Sequence, residues 1–139
     1  MNDLAFVERV LALLADEGIA AWVFGGWAEE LLGLAESRPH GDLDLLVRAD
    51  DWQVVDGLLA QLDEIQAKRF EHKRAFVLDG VMVELFLVRR DAEGLFTTFW
   101  GARRPWPENT LDGGGPLPVA SSAAVAGYRA HHPRRVALV

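Results

Sequence analysis

Cysteine is absent from the 139-residue sequence, which excludes disulfide bonds, thiolate metal sites and a cysteine nucleophile. Positive charge is also scarce, because 14 Lys and Arg residues stand against 21 Asp and Glu residues and leave a formal net charge of -7. A chain of this charge repels polyanions at long range. We therefore expect no nucleic-acid partner, whereas a small nucleotide bound through a metal ion is compatible with the composition.

Long apolar runs are missing as well. The apolar N-terminal segment is interrupted by charged residues between positions 3 and 17 and lacks a basic leading region, which indicates an amphipathic helix rather than a signal peptide or a membrane span. We expect no membrane association and a cytoplasmic location. With 50% hydrophobic and 25% charged residues, the chain suits one folded domain over residues 1–139.

Four segments carry helix start or stop signals, and the first and third also have apolar residues at helical spacing. Gly18 and Gly33 stand where the first two helices would end, and Asp50 or Asp51 is a candidate cap of the third. The predicted helices cover Leu4–Glu17, Trp27–Leu32, Asp50–Leu62 and a stretch from Ser121 or Ser122 to about Ala130.

Short apolar runs rich in strand-forming residues alternate with these helices. Asp79-Gly80 joins two of them and is a strong hairpin signal, because both residues tolerate positive φ. Arg103–Pro118 is dense in Pro and Gly and is expected to be irregular. The pattern predicts an α/β (α+β) fold, with a mixed, mostly antiparallel twisted sheet flanked by helices. The predicted strands are Ala20–Phe24, Asp42–Val47, Ala75–Leu78, Val81–Val88 and an edge strand, Leu95–Trp100.

Two aspartates begin the second predicted strand. Residues two apart in a strand point to the same face, so Asp42 and Asp44 project together while Leu43 and Leu45 face the core. Two adjacent carboxylates on a largely buried strand repel each other unless positive charge, commonly Mg²⁺, lies between them. The pair predicts a metal site, and the alternative is a solvated edge strand or a helix cap.

A third acid, Glu84, lies inside the apolar run Val81–Val88, where a charge without a partner is costly to bury. If that strand lies beside the Asp42 strand, Glu84 completes a three-carboxylate cluster able to hold one or two divalent ions. The alternative is that Glu84 pairs with a base of the hairpin, which would satisfy it without metal. The candidate bases are Arg89, Arg74 and Lys73.

Gly25 and Gly26 end the first predicted strand just before a helix. Such a turn offers bare backbone amides and the positive end of a helix dipole, which suit terminal phosphates. Taken alone, the glycine pair is better explained as an ordinary strand-to-helix turn, and the downstream motif is what favours a phosphate site. Downstream, Arg38 and His40 can add positive charge near phosphates or brace the loop by hydrogen bonding to Glu30 or to backbone.

Together, Gly25-Gly26-Trp27-Ala28 and Arg38-Pro39-His40-Gly41-Asp42-Leu43-Asp44 resemble the nucleotidyltransferase superfamily typified by polymerase beta. The likeness is closest to the lincosamide and aminoglycoside 2''-adenylyltransferases and covers roughly residues 4–90. Glu30 stands where many members have Asp, and Glu84 stands where the third family carboxylate is expected. Residues 103–139 form a variable C-terminal segment in which the likeness fades.

The resemblance implies a nucleotidyltransferase fold and transfer of a nucleoside monophosphate, usually AMP from ATP, to a hydroxyl of a small molecule. It implies that Asp42, Asp44 and Glu84 bind Mg²⁺ and are catalytic, with Glu84 also a candidate general base. Gly25 and Gly26 would bind the nucleotide, assisted by Arg38 and His40. The acidic chain would attract a cationic lincosamide or aminoglycoside acceptor.

Two other functions stay open on the same scaffold. One is an antitoxin-like nucleotidyltransferase that modifies a protein partner, although such proteins typically carry a Gly-Ser turn. The other is a catalytically silent nucleotide-binding module. Trp100 and Trp106 could line an acceptor pocket, and His131-His132 is not expected to be a metal pair because adjacent helical residues diverge. We also expect a homodimer, to which residues 134–139 could add an intersubunit strand.

Overall fold

Seven strands form one twisted sheet in the computed structural model of the chain, which describes residues 1–115 and 117–131. The helices and strands follow in chain order, with a 3-10 turn at Gln66–Lys68 between the third and fourth strands. Their bounds are α1 Leu4–Asp16, β1 Ala20–Phe24, α2 Gly25–Leu31, β2 Asp42–Arg48, α3 Gln53–Leu59, β3 Asp63–Glu64, β4 Lys73–Leu78, β5 Val81–Asp91, β6 Gly94–Phe99, β7 Ala102–Pro105 and α4 Ser122–His131.

The sheet runs in the order β1-β2-β5-β4-β3, and the far end of β5 pairs with β6, which pairs in turn with β7. Only the β2–β5 pair is parallel among the described strands; the other ladders are antiparallel. A parallel neighbour cannot be reached by a tight hairpin, so the chain crosses through α3 and the β3–β4 hairpin before β5 lies beside β2. The predicted mixed, mostly antiparallel sheet flanked by helices is confirmed.

The core lies between the sheet and the helices packed on it. Asp3 caps helix α1, and its side chain accepts a hydrogen bond from the Phe6 amide. Beyond Leu4, which is exposed, the apolar stripe of the helix is buried as the helical spacing predicts. In β2, Leu43 and Leu45 are fully buried, as expected from the alternation. The same alternation leaves Asp42 and Asp44 on the opposite, half-buried side.

Several details differ from the sequence prediction. Helix α3 is shorter than Asp50–Leu62. At its start the Asp51 side chain accepts a hydrogen bond from the Gln53 amide. At its end the amides of Gln61 and Leu62 donate to carbonyls three residues back instead of four. Part of Arg103–Pro118 is not irregular, since β7 pairs with β6. The strand Gly94–Phe99 is therefore covered on both sides and is not an edge strand.

Within residues 1–115 and 117–131, no helix is long and apolar enough to span a membrane. Helix α4 begins after Ser121, whose Oγ accepts a hydrogen bond from the Ala124 amide at 3.2 Å, as the capping prediction requires. His132 and residues 134–139 lie outside the described residues, as does the His131 side chain, so the predictions about the histidine pair and an intersubunit strand stay predictions.

Candidate active site

The parallel pairing of β2 with β5 brings the three predicted acids together. Asp44 lies directly opposite Glu84 in the ladder, and Asp42 precedes it on the same face of β2. One carboxylate oxygen from each of Asp42, Asp44 and Glu84 lies within 4.8 Å of the other two. Oxygen ligands at this spacing can hold a hard divalent cation such as Mg²⁺.

Asp44 is the most constrained acid of the cluster. Its Oδ1 is sealed from solvent and has no hydrogen-bond partner among the described residues, although other parts of the residue reach the surface. Burial, followed by repulsion from Asp42 and Glu84, raises the pKa of Asp44 to about 8. Burial and then Glu84 also raise the pKa of Asp42. The cluster is therefore short of positive charge.

Lysines supply part of that charge from the β4 side. Lys73 Nζ donates to Glu84 Oε2 at 2.6 Å, and Lys68 Nζ lies 3.7 Å from the same oxygen. Lys73 is thus the base, of the three considered, that pairs with Glu84 across the hairpin. Arg74 instead donates to Asp56 Oδ1 at 2.8 Å. Glu84 both pairs with a lysine and completes the carboxylate cluster, so the two alternatives hold together.

The glycine turn packs against Asp44 so closely that no side chain fits. Gly25 has φ +62°, and a Cβ atom there would overlap the Asp44 carboxylate. At Gly26 a Cβ atom would come within 2.7 Å of Arg38 Nη2. Helix α2 starts at Gly25, two residues earlier than predicted. Gly25 is therefore required by close approach as well as by its backbone conformation, whereas a side chain at Gly26 would displace the flexible end of Arg38.

Arg38 and His40 brace the loop that leads into β2. His40 Nε2 hydrogen-bonds to Glu30 Oε1 at 3.0 Å, and the Arg38 amide donates to the same oxygen at 3.1 Å. These bonds, with the His40 bond first, lower the pKa of Glu30. The His40 ring also packs on Trp27 in a tilted arrangement, with centroids 4.3 Å apart. The bracing role considered for both residues is present, and their contact with phosphate stays a prediction.

Two clefts meet at Asp44. The first, of about 170 Å³, lies on the glycine side and includes Gly25, Gly26, Glu29 and Arg129. The second, of about 380 Å³, holds Glu84 and Lys73 and is otherwise walled by aromatic rings. Asp44 and Tyr128 line both clefts. The rings of the second cleft are His72, Phe86, Phe99, Trp100 and Tyr128.

Helix α4 contributes two residues that the sequence prediction missed. Arg129 Nη1 donates to both carboxylate oxygens of Glu29 at 2.7 Å, which ties α4 to α2. Tyr128 packs edge-to-face on Phe24, with ring centroids 5.0 Å apart. Burial, and then the charges of Asp44 and Glu84, raise the pKa of Tyr128. The capping signal predicted the helix but contained no information about which strand end it would cover.

Sequence comparison places this site in a known family. The family model described as aminoglycoside-2''-adenylyltransferase matches residues 6–89, which is more than half of the chain. The chain belongs to the aminoglycoside-2''-adenylyltransferase family. The predicted membership of the nucleotidyltransferases is confirmed, and the enzyme class is that of an adenylyltransferase. A search of proteins with curated functions gives no significant match.

Solved structures share the fold at low sequence identity. The lincosamide antibiotic adenylyltransferase LnuA, solved with lincomycin bound, is 14% identical with a TM-score of 0.75, over 96% of this chain and 89% of that chain. ANT(2'')-Ia in complex with adenylyl-2''-tobramycin is 17% identical with a TM-score of 0.64, over 93% and 77%. A solution structure of ANT(2'')-Ia gives the same TM-score at 15% identity, over 93% and 72%.

Proposed function

We propose that this enzyme is a magnesium-dependent adenylyltransferase that moves AMP from ATP to a hydroxyl group of a small molecule. The observation that carries the proposal is the sealed, unpartnered Oδ1 of Asp44 inside a three-carboxylate cluster. A buried oxygen of this kind is costly unless a cation or a proton satisfies it. Its position between two clefts suits a reaction that joins two substrates.

The donor set fits Mg²⁺, because Asp42, Asp44 and Glu84 offer only oxygen atoms within a span of 4.8 Å. One or two such ions, when bound, would neutralise phosphate charge and orient the transferred group. Asp42 and Asp44 are the principal ligands in this proposal. Lys73 and Lys68 hold Glu84 and add positive charge beside the cluster.

The glycine-side cleft is the proposed place for the phosphates of ATP. Gly25 and Gly26 present backbone without side chains there, and Arg38 and His40 border Gly26. The acceptor hydroxyl then approaches from the aromatic cleft, where the Glu84 carboxylate accepts its proton. The acceptor oxygen forms a bond to the α-phosphorus while the bond from that phosphorus to the leaving pyrophosphate breaks.

The relatives suggest which acceptors to test first. LnuA was solved with lincomycin, and ANT(2'')-Ia with adenylyl-2''-tobramycin. We propose that the acceptor of this enzyme is likewise a hydroxylated compound of the lincosamide or aminoglycoside type. A role in antibiotic resistance would follow if such a compound is inactivated by adenylylation.

The test is a transfer assay with Mg²⁺ and ATP labelled in the α-phosphate, across a panel of lincosamides and aminoglycosides. We expect one acceptor to gain labelled AMP with release of pyrophosphate. Asp44→Asn should reduce turnover by more than about a hundredfold, since mutating a residue that only supports a metal ligand already lowers activity by up to about a hundredfold. Asp16→Asn, at an exposed position at the end of α1, is the charge-matched control and should be unaffected.

Other outcomes have defined meanings. Normal stabilisation by Mg²⁺ and ATP without labelled product for any acceptor would replace the proposal with a silent nucleotide-binding module. Label transferred to a protein instead of a small molecule would replace it with the antitoxin-like function. Full activity of Asp44→Asn would remove the carboxylate cluster from the chemistry.

A further inference from the structure

Two hairpins of this chain use the same tight turn with very different residues. At Asp79-Gly80 the φ angles are 50° and 77°, and at Trp100-Gly101 they are 52° and 81°. Two-residue turns with both φ angles positive favour Asn, Asp or Gly at the first position. Asp79 follows that preference, whereas a bulky residue such as Trp100 is an outlier there. Turn formation does not account for the tryptophan.

Burial does not account for Trp100 either. The residue is 74% exposed, which makes it one of the few large apolar residues on the surface of the described chain. Its indole is nevertheless held in place, because Phe70 and His72 make edge-to-face contacts with ring centroids at 4.7 Å and 4.9 Å. An aromatic side chain that is strained, exposed and still oriented is a candidate binding surface.

The place of Trp100 in the fold says what it would bind. It lines the cleft of about 380 Å³ that also contains Asp44 and Glu84. The acids of this cleft are those that the proposed function assigns to Mg²⁺, and the remaining ionic group is Lys73. Burial, and then the neighbouring Lys73, lower the pKa of His72, so its ring serves as a neutral wall. Among the described residues, the lining of the cleft therefore offers ring faces but no spare acid for additional cationic groups.

Space for a second ring lies next to this cleft. A cavity of about 370 Å³ shares Phe99 and Tyr128 with it and is lined further by Trp106, Pro105 and Arg104. Its apolar rings continue the aromatic wall, and the charged side chain in its described lining, Arg104, is positive. An extended acceptor with apolar faces fits this pair of cavities. A compound carrying many ammonium groups instead meets Arg104 and Lys73, and the described lining holds no acid left over to compensate those groups.

We propose that Trp100 is the acceptor platform of this enzyme and that the acceptor is a hydroxylated ring compound with a flat apolar face and at most one positive charge. The proposal rests on the proposed AMP transfer to a small-molecule hydroxyl. It selects between the two candidate acceptor classes: a compound with a single amine is favoured over a polycation. Trp100 acts here through the face of its indole, which stacks on an aromatic ring or on the C–H face of a sugar.

The test measures equilibrium binding, so that it does not depend on turnover. The full chain is loaded with Mg²⁺ and a non-hydrolysable ATP analogue, and the Kd is measured for lincomycin, phenyl glucoside and tobramycin. We expect lincomycin and phenyl glucoside to bind more tightly than polycationic tobramycin. Trp100→Asn should raise the Kd of the ring compounds about tenfold, the effect of losing one stacked ring, without changing the Kd of the nucleotide.

Two further variants separate a platform from a structural role. Trp100→Phe keeps a ring and should stay within about threefold of the wild-type Kd, whereas Trp100→Asn should melt no lower than wild type because Asn suits the turn. Asp79→Asn, at the equivalent turn outside the clefts, should leave all three Kd values unchanged.

Several results would overturn the platform. They are an unchanged acceptor Kd in Trp100→Asn, tighter binding of tobramycin than of the ring compounds, no binding of either ring compound, or weaker binding of the nucleotide instead of the acceptor. These outcomes are distinct from a failure of the proposed function. In that case the ring compounds would bind in a Trp100-dependent manner while labelled ATP transferred no AMP to any of them.

Discussion

The two clefts that meet at Asp44 are built by different kinds of interaction. The glycine-side wall includes directional contacts: a turn without side chains against Asp44, and the Arg129–Glu29 ion pair. Hydrogen bonds from His40 and the Arg38 amide to Glu30 brace the loop beside Gly26. The opposite wall consists mainly of aromatic rings in edge-to-face and tilted contacts. Directional contacts hold atoms to a few tenths of an ångström, whereas ring packing tolerates changes of shape.

This difference matches the two tasks that we propose. Nucleotide and metal are the same in every turnover and need rigid positioning, which a close-packed polar wall provides. An acceptor pocket can differ between related enzymes, and apolar ring surfaces adapt to different molecules at small cost. The expectation is that substitutions on the glycine side abolish the reaction, while substitutions on the aromatic side change the preferred acceptor.

The largest expected effect comes from Gly25→Ala, which tests the rigidity of the glycine side. The added Cβ overlaps the Asp44 carboxylate, and the alanine must also adopt a backbone φ of +62°. We expect kcat to fall by more than about a hundredfold and the free energy of unfolding to fall by about 2 kcal/mol.

Gly33→Ala is the matched control for Gly25→Ala. Its φ is +73°, but nothing lies within 4 Å of a Cβ there, so it should lose about 1 kcal/mol of stability and keep its kcat. Equal kinetics for the two variants would show that the approach to Asp44 is irrelevant to catalysis.

A second expected effect concerns pH and the junction between the clefts. The folded protein without metal binds a proton on Asp44 up to about pH 8, whereas the unfolded chain loses it near pH 4. The native state therefore holds more protons across this window, so stability must fall as pH rises through it. We expect the free energy of unfolding to decrease by about 2 kcal/mol or more between pH 5 and pH 8.5.

Urea unfolding at several pH values with chelator present measures this dependence. Asp44→Asn cannot titrate and should show a flatter profile than wild type, and Mg²⁺ should recover stability at high pH only in the wild type. An equally steep profile in both proteins would mean that Asp44 is not the titrating group.

The smallest expected effect tests the scaffold under the aromatic wall. Trp106 Nε1 donates to Thr97 Oγ1 at 2.8 Å, and Thr97 Oγ1 donates to the Leu87 carbonyl at 2.7 Å, all in the interior. Thr97→Val leaves both partners unsatisfied at nearly constant volume and should lower the free energy of unfolding by about 1 to 2 kcal/mol.

Because packing of the rings is adaptable, the acceptor KM of Thr97→Val should change by less than about threefold. Thr98→Val, at the half-exposed neighbouring position, should have almost no effect on stability. A large loss of activity in Thr97→Val would show that the aromatic side is as rigid as the glycine side.

Much of the fold and the glycine side could be predicted because their signals are local. Gly25, Gly26 and the Arg38–Asp44 stretch lie within 20 consecutive residues, and alternation along β2 states which side chains share a face. The hairpin at Asp79-Gly80 was predicted from its turn residues and the apolar runs on either side of them. The strand β7 was missed because its turn carries Trp100, which does not resemble a hairpin residue.

The rest of the site depends on pairings between distant segments. Lys73 was one of three candidate partners of Glu84, and only the β4–β5 register, together with the engagement of Arg74 by Asp56, selects it. Tyr128 and Arg129 reach the site because α4 packs across β1 and α2, a contact between residues about 100 positions apart. Sequence periodicity describes one segment at a time and cannot choose among such partners.

By itself the sequence determined that two aspartates share one strand face after a glycine turn, and through that pattern the family. It did so because side-chain alternation and backbone freedom are properties of neighbouring residues. Only the tertiary structure decided that Glu84 lies opposite Asp44, because a parallel pair leaves register to the packing of the crossover. It also decided that Trp100, an exposed residue in a strained turn, borders the carboxylates. The turn after β6 reaches the cleft that holds Asp44 and Glu84 because β6 pairs with β5 in the sheet.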